Sequence, residues 1–499
     1  MKKLPKYWPV VIFFVFFALL IGANLYYAPS WGLMDDSQNL ERAQVVWQSG
    51  NILHGLWNFI VSGLRGWGIF WPVYCAWVIF IYHIFKDSPL AIYILITCFN
   101  FISLFLWGVV LHKIFSAPKK DFLPSVFLFP LLFFTFTPFW NIFMYISVQQ
   151  KFVIFFSALS LYFLLKAYDS GKNRHLIFSF LALLASVFSH PEGIYLCVPY
   201  IVFSILAITV FKYKKKMSLI NLIMQSFFFL LYYIFTVRIQ MSGCYTAKYK
   251  NNLSLASLIS IFAETSMILK AFFTLAFVVF IVMVIRIMRK KNIFTPSAVI
   301  IPLSIMAYLS IMLPWGFPNH HLSCLTPYLW GLFFPVYLWF CRRQYLSVVV
   351  NGIIIPILVM MVFFYVGFPR IQRMAEIKQV EGFIKALTAD NPRSFYFLPP
   401  PCVEAAGAIK YFTGADVRYL AAGKLSRDLL SGGNRNYLVT RDECPRATLE
   451  NVKADEDVYS GNTWRIARVS GKDGYSAAYK ADFGENIFRK IITYLRSFK

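Results

Sequence analysis

The sequence predicts a polytopic α-helical membrane protein of about eleven transmembrane helices, followed by a small C-terminal α/β domain. Hydrophobic residues make up 59% of the 499 residues, charged residues make up only 14%, and the mean hydropathy is +0.60. A soluble domain carries roughly 25% charged residues. Apolar runs repeatedly approach the ~20 residues that span ~30 Å of hydrocarbon. After residue 368 the composition shifts to charged residues, Gly and Asn, so we predict a membrane domain at 1–368 and a separate domain at 369–499.

Eleven apolar runs are predicted to cross the membrane, and a twelfth, 66–85, is predicted to lie at the interface or to form a re-entrant segment. Pro72 and the many aromatic residues of the twelfth run suit the headgroup level. An ordinary crossing helix is the alternative. The crossing runs are 8–28, 90–112, 124–142, 152–168, 176–189, 194–211, 219–237, 270–288, 294–314, 324–341 and 345–367.

Six clusters of Lys and Arg between these runs determine the predicted sidedness. If 66–85 does not cross, all six clusters fall on one side, which the positive-inside rule makes the cytoplasm. The N-terminus is then cytoplasmic, and both the loop 29–89 and the domain 369–499 are extracytoplasmic. The same distribution explains the net charge of +25 without nucleic acid as a partner. The clusters are Lys2/Lys3/Lys6, Lys113/Lys119/Lys120, Lys166/Lys172/Arg174, Lys212/Lys214/Lys215/Lys216, Arg289/Lys290/Lys291 and Arg342/Arg343.

The C-terminal domain alternates short β-rich runs with helical ones, which predicts a small α/β domain. Cys402 and Cys444 are its only cysteines. An oxidising outer compartment would permit a disulfide between them, and two reduced thiols are the alternative because the sequence does not bring their Cα atoms together. The runs are "SFYFL" (394–398), "VEAAGAIKYFTG" (403–414), "NYLVT" (436–440) and "WRIARV" (464–469).

Polar and ionisable residues gather on the predicted outer face. Asp35 and Asp36 follow the first run, and the turn "HPEG" (190–193) follows the run 176–189. That run has only 14 residues, so the turn is predicted to dip toward the bilayer, where an ionisable group is expensive and marks a site. A tight turn without function is the alternative. The candidate site residues are Asp35, Asp36, Arg65, Gln149, Gln150, Lys151, His190, Glu192, Arg238, His320 and His321.

This set of side chains suits chemistry on a lipid-linked substrate. A carboxylate can take the proton of an acceptor hydroxyl that attacks a sugar carbon, and Lys151, Arg238 or His190 can stabilise a departing phosphate. No Walker loop or dinucleotide fingerprint is found where it could act, which fits a donor already activated as a polyprenyl phosphate. No cofactor is predicted. A divalent metal held by histidines and aspartates is the alternative, although no spacing typical of structural zinc occurs.

In these features the chain resembles the GT-C superfamily of polyprenyl-phosphate-dependent glycosyltransferases, which includes aminoarabinose transferases and protein O-mannosyltransferases. The shared pattern is one helix, an outer loop that opens with acidic residues, an arginine before an aromatic-proline stretch (Arg65 with "WGIFWPVY"), and a later polar hairpin tip. At that tip relatives often carry Lys-Gly where this chain has "HPEG". By length and layout the chain looks most like the serotype-converting O-antigen glucosyltransferases of temperate phages, over most of 1–367.

The resemblance implies an inverting hexosyltransferase of the bacterial inner membrane. It would move a sugar, most simply glucose, from undecaprenyl phosphate to a cell-surface glycan such as an O-antigen or lipopolysaccharide intermediate. The catalytic carboxylate of such enzymes lies in the first outer loop, hence at Asp36 or Asp35. We prefer Asp36, because Asp35 can cap a helix that begins near Ser37.

The remaining candidates are assigned to the two substrates. The predicted donor-phosphate residues are Lys151, His190, Arg238 and Arg65, and the predicted substrate-binding residues are Gln149, Gln150, Glu192, His320 and His321.

Three other functions stay open at this point. A transporter or flippase of lipid-linked sugars would be expected to show internal repeats and polar residues through both halves of its helices. An O-antigen polymerase or ligase usually has a large Arg-rich loop between late helices, and the loop 238–269 carries Arg238, Lys248 and Lys250. A non-catalytic membrane scaffold leaves the outer-face carboxylates unexplained.

Overall fold

The structure is a computed structural model that divides by its contacts into two units. One comprises Met1–Ala23 and Ala43–Pro369, and the other comprises Asn24–Arg42 and Arg370–Lys499. The described residues are 5–27, 35–67, 69–85, 88–145, 148–238, 267–289, 295–312, 321–390, 395–398, 416–419, 436–441, 447–450, 453–460, 464–470 and 478–481.

Helices form almost all of the described part of the chain before residue 391. The α-helices are α1 (Trp8–Tyr27), α2 (Asp35–Gln48), α3 (Ile52–Trp67), α4 (Pro72–Phe85), α5 (Pro89–Ile114), α6 (Asn141–Met144), α7 (Gln150–Ser170), α8 (Asn173–Ser189), α9 (Cys197–Thr209), α10 (Lys215–Arg238), α11 (Met267–Met288), α12 (Ile300–Met312), α13 (Thr326–Arg342), α14 (Gln344–Val349), α15 (Ile355–Val362) and α16 (Phe368–Asp390). Short 3-10 or π segments are Lys119–Asp121, Pro124–Leu128, Phe129–Thr135, Thr137–Trp140, Pro191–Leu196, Pro296–Val299, His321–Leu325, Val350–Ile354 and Phe363–Gly367.

The chain is a polytopic helical membrane protein. Within the described ranges, eight helical segments are long and apolar enough to cross a bilayer, and one bent pair would make nine. Three further apolar helices are shorter, and two of them, Asn173–Ser189 and Pro296–Ser310, coincide with runs predicted to cross. The eleven crossings therefore stay a prediction. The eight segments are Trp8–Tyr27, Pro89–Ile114, Gln150–Ser170, Pro191–Thr209, Lys215–Phe235, Leu269–Met288, Leu322–Arg342 and Tyr345–Asp390.

The run 66–85 does not form one continuous helix. It contains the end of α3 and then α4, whose 14 residues cover only about 21 Å at 1.5 Å per residue. Tyr74 and Cys75 of α4 are buried, and the ring of Trp77 lies 5.2 Å from that of Phe152 on α7. The helix is thus shorter than the ~30 Å of hydrocarbon and packs against the bundle. Its interfacial position stays a prediction.

The run 124–142 is broken in the middle instead of forming a straight helix. Pro124–Thr135 and Thr137–Phe143 meet at an angle of 104°. Phe136 between them has an extended backbone, with φ −93° and ψ 107°. Proline lacks the N–H that an α-helix requires, and Pro130 and Pro138 flank the break. Hydropathy alone does not predict this bend, because the segments before and after it are both apolar.

Close packing of α5 depends on Gly108. A Cβ at this position would lie 2.5 Å from the carbonyl oxygen of Val126 and 2.6 Å from its Cα. Backbone atoms cannot move aside as the end of a side chain can. Small residues allow such approaches between membrane helices.

Replacement of Gly108 by alanine is therefore expected to destabilise the protein by about 1–3 kcal/mol through overpacking. Thermal unfolding of the detergent-solubilised protein measures the effect. Gly22→Ala on α1 is the matched control, because no heavy atom lies within 4 Å of its would-be Cβ. Equal melting temperatures for the two variants would contradict the tight contact.

Hydroxyl pairs hold α7, α8 and α9 together. The Ser160 hydroxyl donates to the Ser179 carbonyl at 2.8 Å, and the Ser179 hydroxyl donates to the Ser160 carbonyl at 2.8 Å. The Tyr200 hydroxyl donates to Ser160 Oγ at 3.0 Å. Within the bilayer such bonds and small side chains replace the hydrophobic effect as the source of helix association. They fix the middle of α7 against α8 and against the first turn of α9.

The second unit contains β-strands after residue 394. A five-stranded sheet has the order β2-β1-β3-β6-β5, and β4 and β7 form a separate antiparallel pair. β1 is parallel to both β2 and β3, whereas β3–β6 and β6–β5 are antiparallel. The segments that join β1, β2 and β3 lie outside the described residues, so the α/β character of this unit stays a prediction. The strands are β1 (Phe395–Leu398), β2 (Asp416–Tyr419), β3 (Asn436–Arg441), β4 (Ala447–Glu450), β5 (Lys453–Ser460), β6 (Trp464–Ser470) and β7 (Ala478–Ala481).

Candidate functional site

The "HPEG" turn joins α8 to the 3-10 segment Pro191–Leu196 and packs tightly against α8. His190 is extended, with φ −160° and ψ 140°, and its side chain accepts the N–H of Glu192. Pro191 begins the 3-10 segment, where its missing N–H costs nothing. A Cβ on Gly193 would lie 2.6 Å from the carbonyl carbon of Ser186. Glycine therefore lets the chain fold back and carry Glu192 into the protein.

Glu192 lies at the centre of a buried polar cluster that includes two predicted site residues, Gln150 and His190. Gln150 Nε2 donates to Glu192 Oε1 at 3.0 Å, and Nδ1 of His190 lies 3.4 Å from the same oxygen. As whole residues, Gln150, His190 and Glu192 are 1%, 7% and 2% exposed. A buried carboxylate is costly unless hydrogen bonds and opposite charge surround it. The cluster supplies these partners and fixes the orientation of the carboxylate.

Nδ1 of His190 lies near two groups of Glu192, and whether this nitrogen carries a hydrogen decides which of the two it bonds. Neutral imidazole with a bare Nδ1 accepts the N–H of Glu192, at 3.4 Å. Protonated Nδ1 instead donates to Glu192 Oε1. Nδ1 of His190 therefore lies within reach of both the N–H and the carboxylate of Glu192, and makes one of these two hydrogen bonds at a time.

Tyr308 completes the cluster from α12, and the sequence did not reveal it. Its hydroxyl donates to Glu192 Oε2 at 3.3 Å. Its ring also packs edge-on against Tyr195, with 5.0 Å between the ring centroids. Tyr308 lies in the apolar stretch "IMAYLSIML", where a tyrosine resembles any other core aromatic residue. Only its hydrogen bond to Glu192, which lies 116 residues earlier in the sequence, identifies it as part of the cluster.

Lys151 is a buried lysine that directly follows Gln150 in the sequence. Its side chain is 0% exposed, and its Nζ donates to the carbonyl oxygen of Tyr145 at 2.6 Å. Gln149, the residue before α7, is half-buried. The Tyr145 carbonyl therefore holds the Lys151 Nζ at the end of the bundle where α7 begins.

Aromatic contacts bring other predicted segments to the same end of the bundle. The ring of Phe70, five residues after Arg65, lies 5.8 Å from that of Phe188 and 5.5 Å from that of Phe235. Phe188 precedes His190 by two residues, and Phe235 precedes Arg238 by three. The chain near Arg65, His190 and Arg238 therefore converges.

Three further predicted site residues, Arg65, Arg238 and His321, lie at or near the ends of helical segments. The Arg65 side chain is exposed, whereas Arg238 ends α10 with a side chain outside the described residues. The segment His321–Leu325 reaches α7 through Cys324, whose Sγ lies 3.9 Å from the Gln150 carbonyl. The His321 side chain is also outside the described residues.

The preferred catalytic residues belong to the second unit. Asp35 and Asp36 form the first turn of α2, which begins at Asp35 and not near Ser37. Asp35 is thus the first residue of α2 and not a cap before it, because the helix begins two residues earlier than predicted. Two acidic residues suit the positive end of a helix. Their side chains lie outside the described residues, as do His320, Cys402 and Cys444.

The described part of the chain contains no assembled metal-binding site. Among these residues no group of three or more His, Cys, Asp or Glu side chains lies close enough to hold an ion. His190 and Glu192 form only a pair. The predicted metal alternative included aspartates and histidines outside the described side chains, so the absence of a cofactor stays a prediction.

No protein-family model matches this chain, and a comparison with curated proteins gives no significant match. The resemblance to GT-C glycosyltransferases therefore depends on the residues and the helical architecture alone.

Proposed function

We propose that the chain is a GT-C-type glycosyltransferase that transfers a hexose from a polyprenyl phosphate to a glycan on the outer face of the bacterial inner membrane. One observation carries the proposal. Predicted site residues from distant parts of the sequence form a buried hydrogen-bonded cluster, in which Gln150 and His190 contact Glu192. Buried ionisable groups in membrane bundles mark substrate or proton sites.

The cations around this cluster suit a phosphate donor. Lys151 is buried at the start of α7, and the chain near Arg65 and Arg238 converges with the end of α8. A phosphate that leaves a sugar carbon gains negative charge in the transition state, and fixed cations stabilise that charge. A polyprenyl donor keeps its chain in the bilayer and its phosphate at the surface, so an end of a helical bundle is a suitable location.

The reaction balances without an external reductant or nucleotide. Asp36, or Asp35 in its place, accepts the proton of the acceptor hydroxyl as the oxygen attacks the anomeric carbon. The new glycosidic bond forms on the face opposite the breaking carbon–phosphate oxygen bond, and the configuration inverts. Polyprenyl phosphate leaves with the electron pair of that bond. A positioned carboxylate contributes typically 10²–10⁴-fold to such a step.

Glu192 is the second carboxylate that could take part. Its oxygens accept hydrogen bonds from Gln150 and Tyr308, and the residue is buried, so the carboxylate is held inside the bundle. We therefore assign it to donor binding through His190 and its neighbours and leave the acceptor proton to the first loop.

The proposed topology makes a labelling prediction. In a variant whose eight native cysteines are replaced by serine, a single cysteine at Ser88 should react with a membrane-impermeant maleimide from outside intact spheroplasts, whereas one at Ser116 should react only after permeabilisation. Both side chains are exposed, so accessibility reports sidedness. The expected difference follows from the six basic clusters on one side. Labelling of Ser116→Cys from outside would contradict eleven crossings with a non-crossing 66–85.

A cellular experiment tests the function without knowledge of the sugar. Mass spectrometry of the surface glycan should show a hexose increment on each repeat unit when the gene is expressed and no increment when it is deleted. An O-antigen polymerase or ligase would change chain length or lipid attachment instead, and a flippase would change the amount of glycan. A glycan of unchanged repeat mass would contradict hexosyl transfer.

A further inference from the structure

A basic groove lies at the end of the bundle opposite the Glu192 cluster. It forms where α7 ends and where α8 and α10 begin, and its cavity volume is about 560 Å³. The 21 residues of α7 separate the two ends by about 30 Å at 1.5 Å per residue. The groove is lined by Gly171, Lys172, Asn173, Arg174, Lys216 and Met217.

The groove concentrates positive charge that no acidic residue of the described chain neutralises. Lys172, Arg174 and Lys216 are exposed, and none of them forms an ion pair within the described residues. The acidic residue of the adjacent turn, Asp169, is already paired with Lys113, whose Nζ lies 2.8 Å from its Oδ2. The three cations around this cavity therefore make it a suitable binding site for an anionic ligand.

Both helices that begin here add to this field. α8 begins at Asn173 and α10 begins at Lys215, and neither has an acidic residue in its first turn. The side chain of the residue before α8 makes no capping hydrogen bond. Helix starts carry partial positive charge on their free N–H groups. The two helix ends therefore add a smaller positive potential to the charges of the two lysines and the arginine.

The turn before α10 is held in place, which keeps further lysines next to the groove. Tyr213 stacks on Tyr168 with 5.7 Å between ring centroids and an interplanar angle of 10°. Its N–H donates to the Ala207 carbonyl at 2.7 Å. On either side of it Lys212 and Lys214 have positive φ values of 52° and 45°. A strained backbone persists where the surroundings determine it.

The surface beside the groove favours a lipid over a free anion. Further along α8, Ile177 and Phe178 are 52% and 46% exposed, and along α10 Leu219 and Ile223 are 51% and 60% exposed. The two helices are neighbours, because the ring of Phe180 lies 5.7 Å from that of Phe228. A ligand with a phosphate head and two acyl chains would match both the cations and this apolar surface.

We propose that this groove binds the phosphodiester headgroup of an anionic phospholipid, with its acyl chains along the exposed apolar side chains of α8 and α10. Basic pockets between membrane helices recognise anionic lipid headgroups in this way. The proposal does not depend on the glycosyl transfer, because it concerns the opposite end of the bundle.

Lipid retention by the purified full-length protein tests the proposal. The protein is reconstituted in equal amounts of phosphatidylglycerol and phosphatidylcholine, extracted again in mild detergent, and its bound lipids are counted by native mass spectrometry. Wild-type protein should retain phosphatidylglycerol in preference. The triple variant Lys172→Gln/Arg174→Gln/Lys216→Gln should lose that preference, by about fivefold for each cation removed. If the triple variant does not elute as a folded monodisperse species, Arg174→Gln alone should show the single-cation loss.

A second triple variant separates the groove from general surface charge. Lys119→Gln/Lys120→Gln/Arg343→Gln removes the same number of exposed cations from outside the groove and should keep the preference for phosphatidylglycerol. An equal loss in both triple variants would overturn the proposal in favour of diffuse attraction. Displacement of phosphatidylglycerol by inorganic phosphate at constant ionic strength would overturn it in favour of a free-phosphate site.

Discussion

Asp36→Asn is expected to abolish glycan transfer while the protein still inserts into the membrane. The amide keeps the size of the carboxylate but cannot accept the proton of the acceptor hydroxyl. Loss of a general base typically costs ~10²–10⁴ in rate. The measurement is the transfer rate in membranes supplied with a polyprenyl-phosphate sugar, at matched protein levels.

The neighbouring residue supplies the comparison. If Asp35 is the base instead, Asp35→Asn carries the large loss and Asp36→Asn a small one. Both residues lie in the first turn of α2, so each substitution removes one charge from the same helix end and has the same electrostatic effect there. Near-normal transfer by the double variant would remove the first-loop carboxylate from the mechanism and with it the main support for the GT-C resemblance.

Glu192→Gln is expected to slow transfer by roughly 10- to 100-fold, chiefly by weakening donor binding. The substitution removes the charge that Gln150, Tyr308 and His190 face, and hydrogen bonds to a charged group are worth about 1.5–3 kcal/mol. The amide NH₂ of the new glutamine would also face the donor groups of Gln150 or Tyr308, with which it cannot form the same hydrogen bonds. Rates measured over a range of donor concentrations should show a raised KM for the polyprenyl-phosphate sugar.

Asp169→Asn is the matched control for this substitution. It also converts a carboxylate to an amide in an ion pair, here with Lys113, but at the opposite end of α7. Surface ion pairs contribute only ~0–1 kcal/mol, so its transfer rate should stay near that of the wild type. Equal losses in the two variants would show that the effect of Glu192→Gln is a general loss of stability.

The sequence predicted the membrane class of the fold, and it singled out three residues that the structure brings together. Hydropathy is sufficient for the class, because a backbone in hydrocarbon must bond to itself and apolar runs of this length form helices. Gln150, His190 and Glu192 were each predicted as site residues, because polar and ionisable residues stand out in apolar surroundings; their role stays a prediction. The structure adds that Gln150 and His190 both contact one carboxylate.

Other features depend on contacts that no local pattern encodes. Tyr308 is indistinguishable from core tyrosines until the structure brings its hydroxyl to Glu192. The bend at Phe136 follows from prolines on either side of it, and a hydropathy average over the whole run does not register them. The start of α2 at Asp35 instead of near Ser37 reflects the usual uncertainty of helix ends, where one more acidic residue can join the first turn.

The most direct test of the proposed function is transfer by the purified protein in proteoliposomes. The vesicles contain undecaprenyl phosphate that carries a radiolabelled hexose, and the acceptor is the cognate lipid-linked glycan. Label should pass to the glycan with inverted anomeric configuration, and free undecaprenyl phosphate should appear in equal amount, with no nucleotide sugar present. Label that stays on undecaprenyl phosphate with every acceptor, or transfer that requires a nucleotide sugar, would contradict the proposed function.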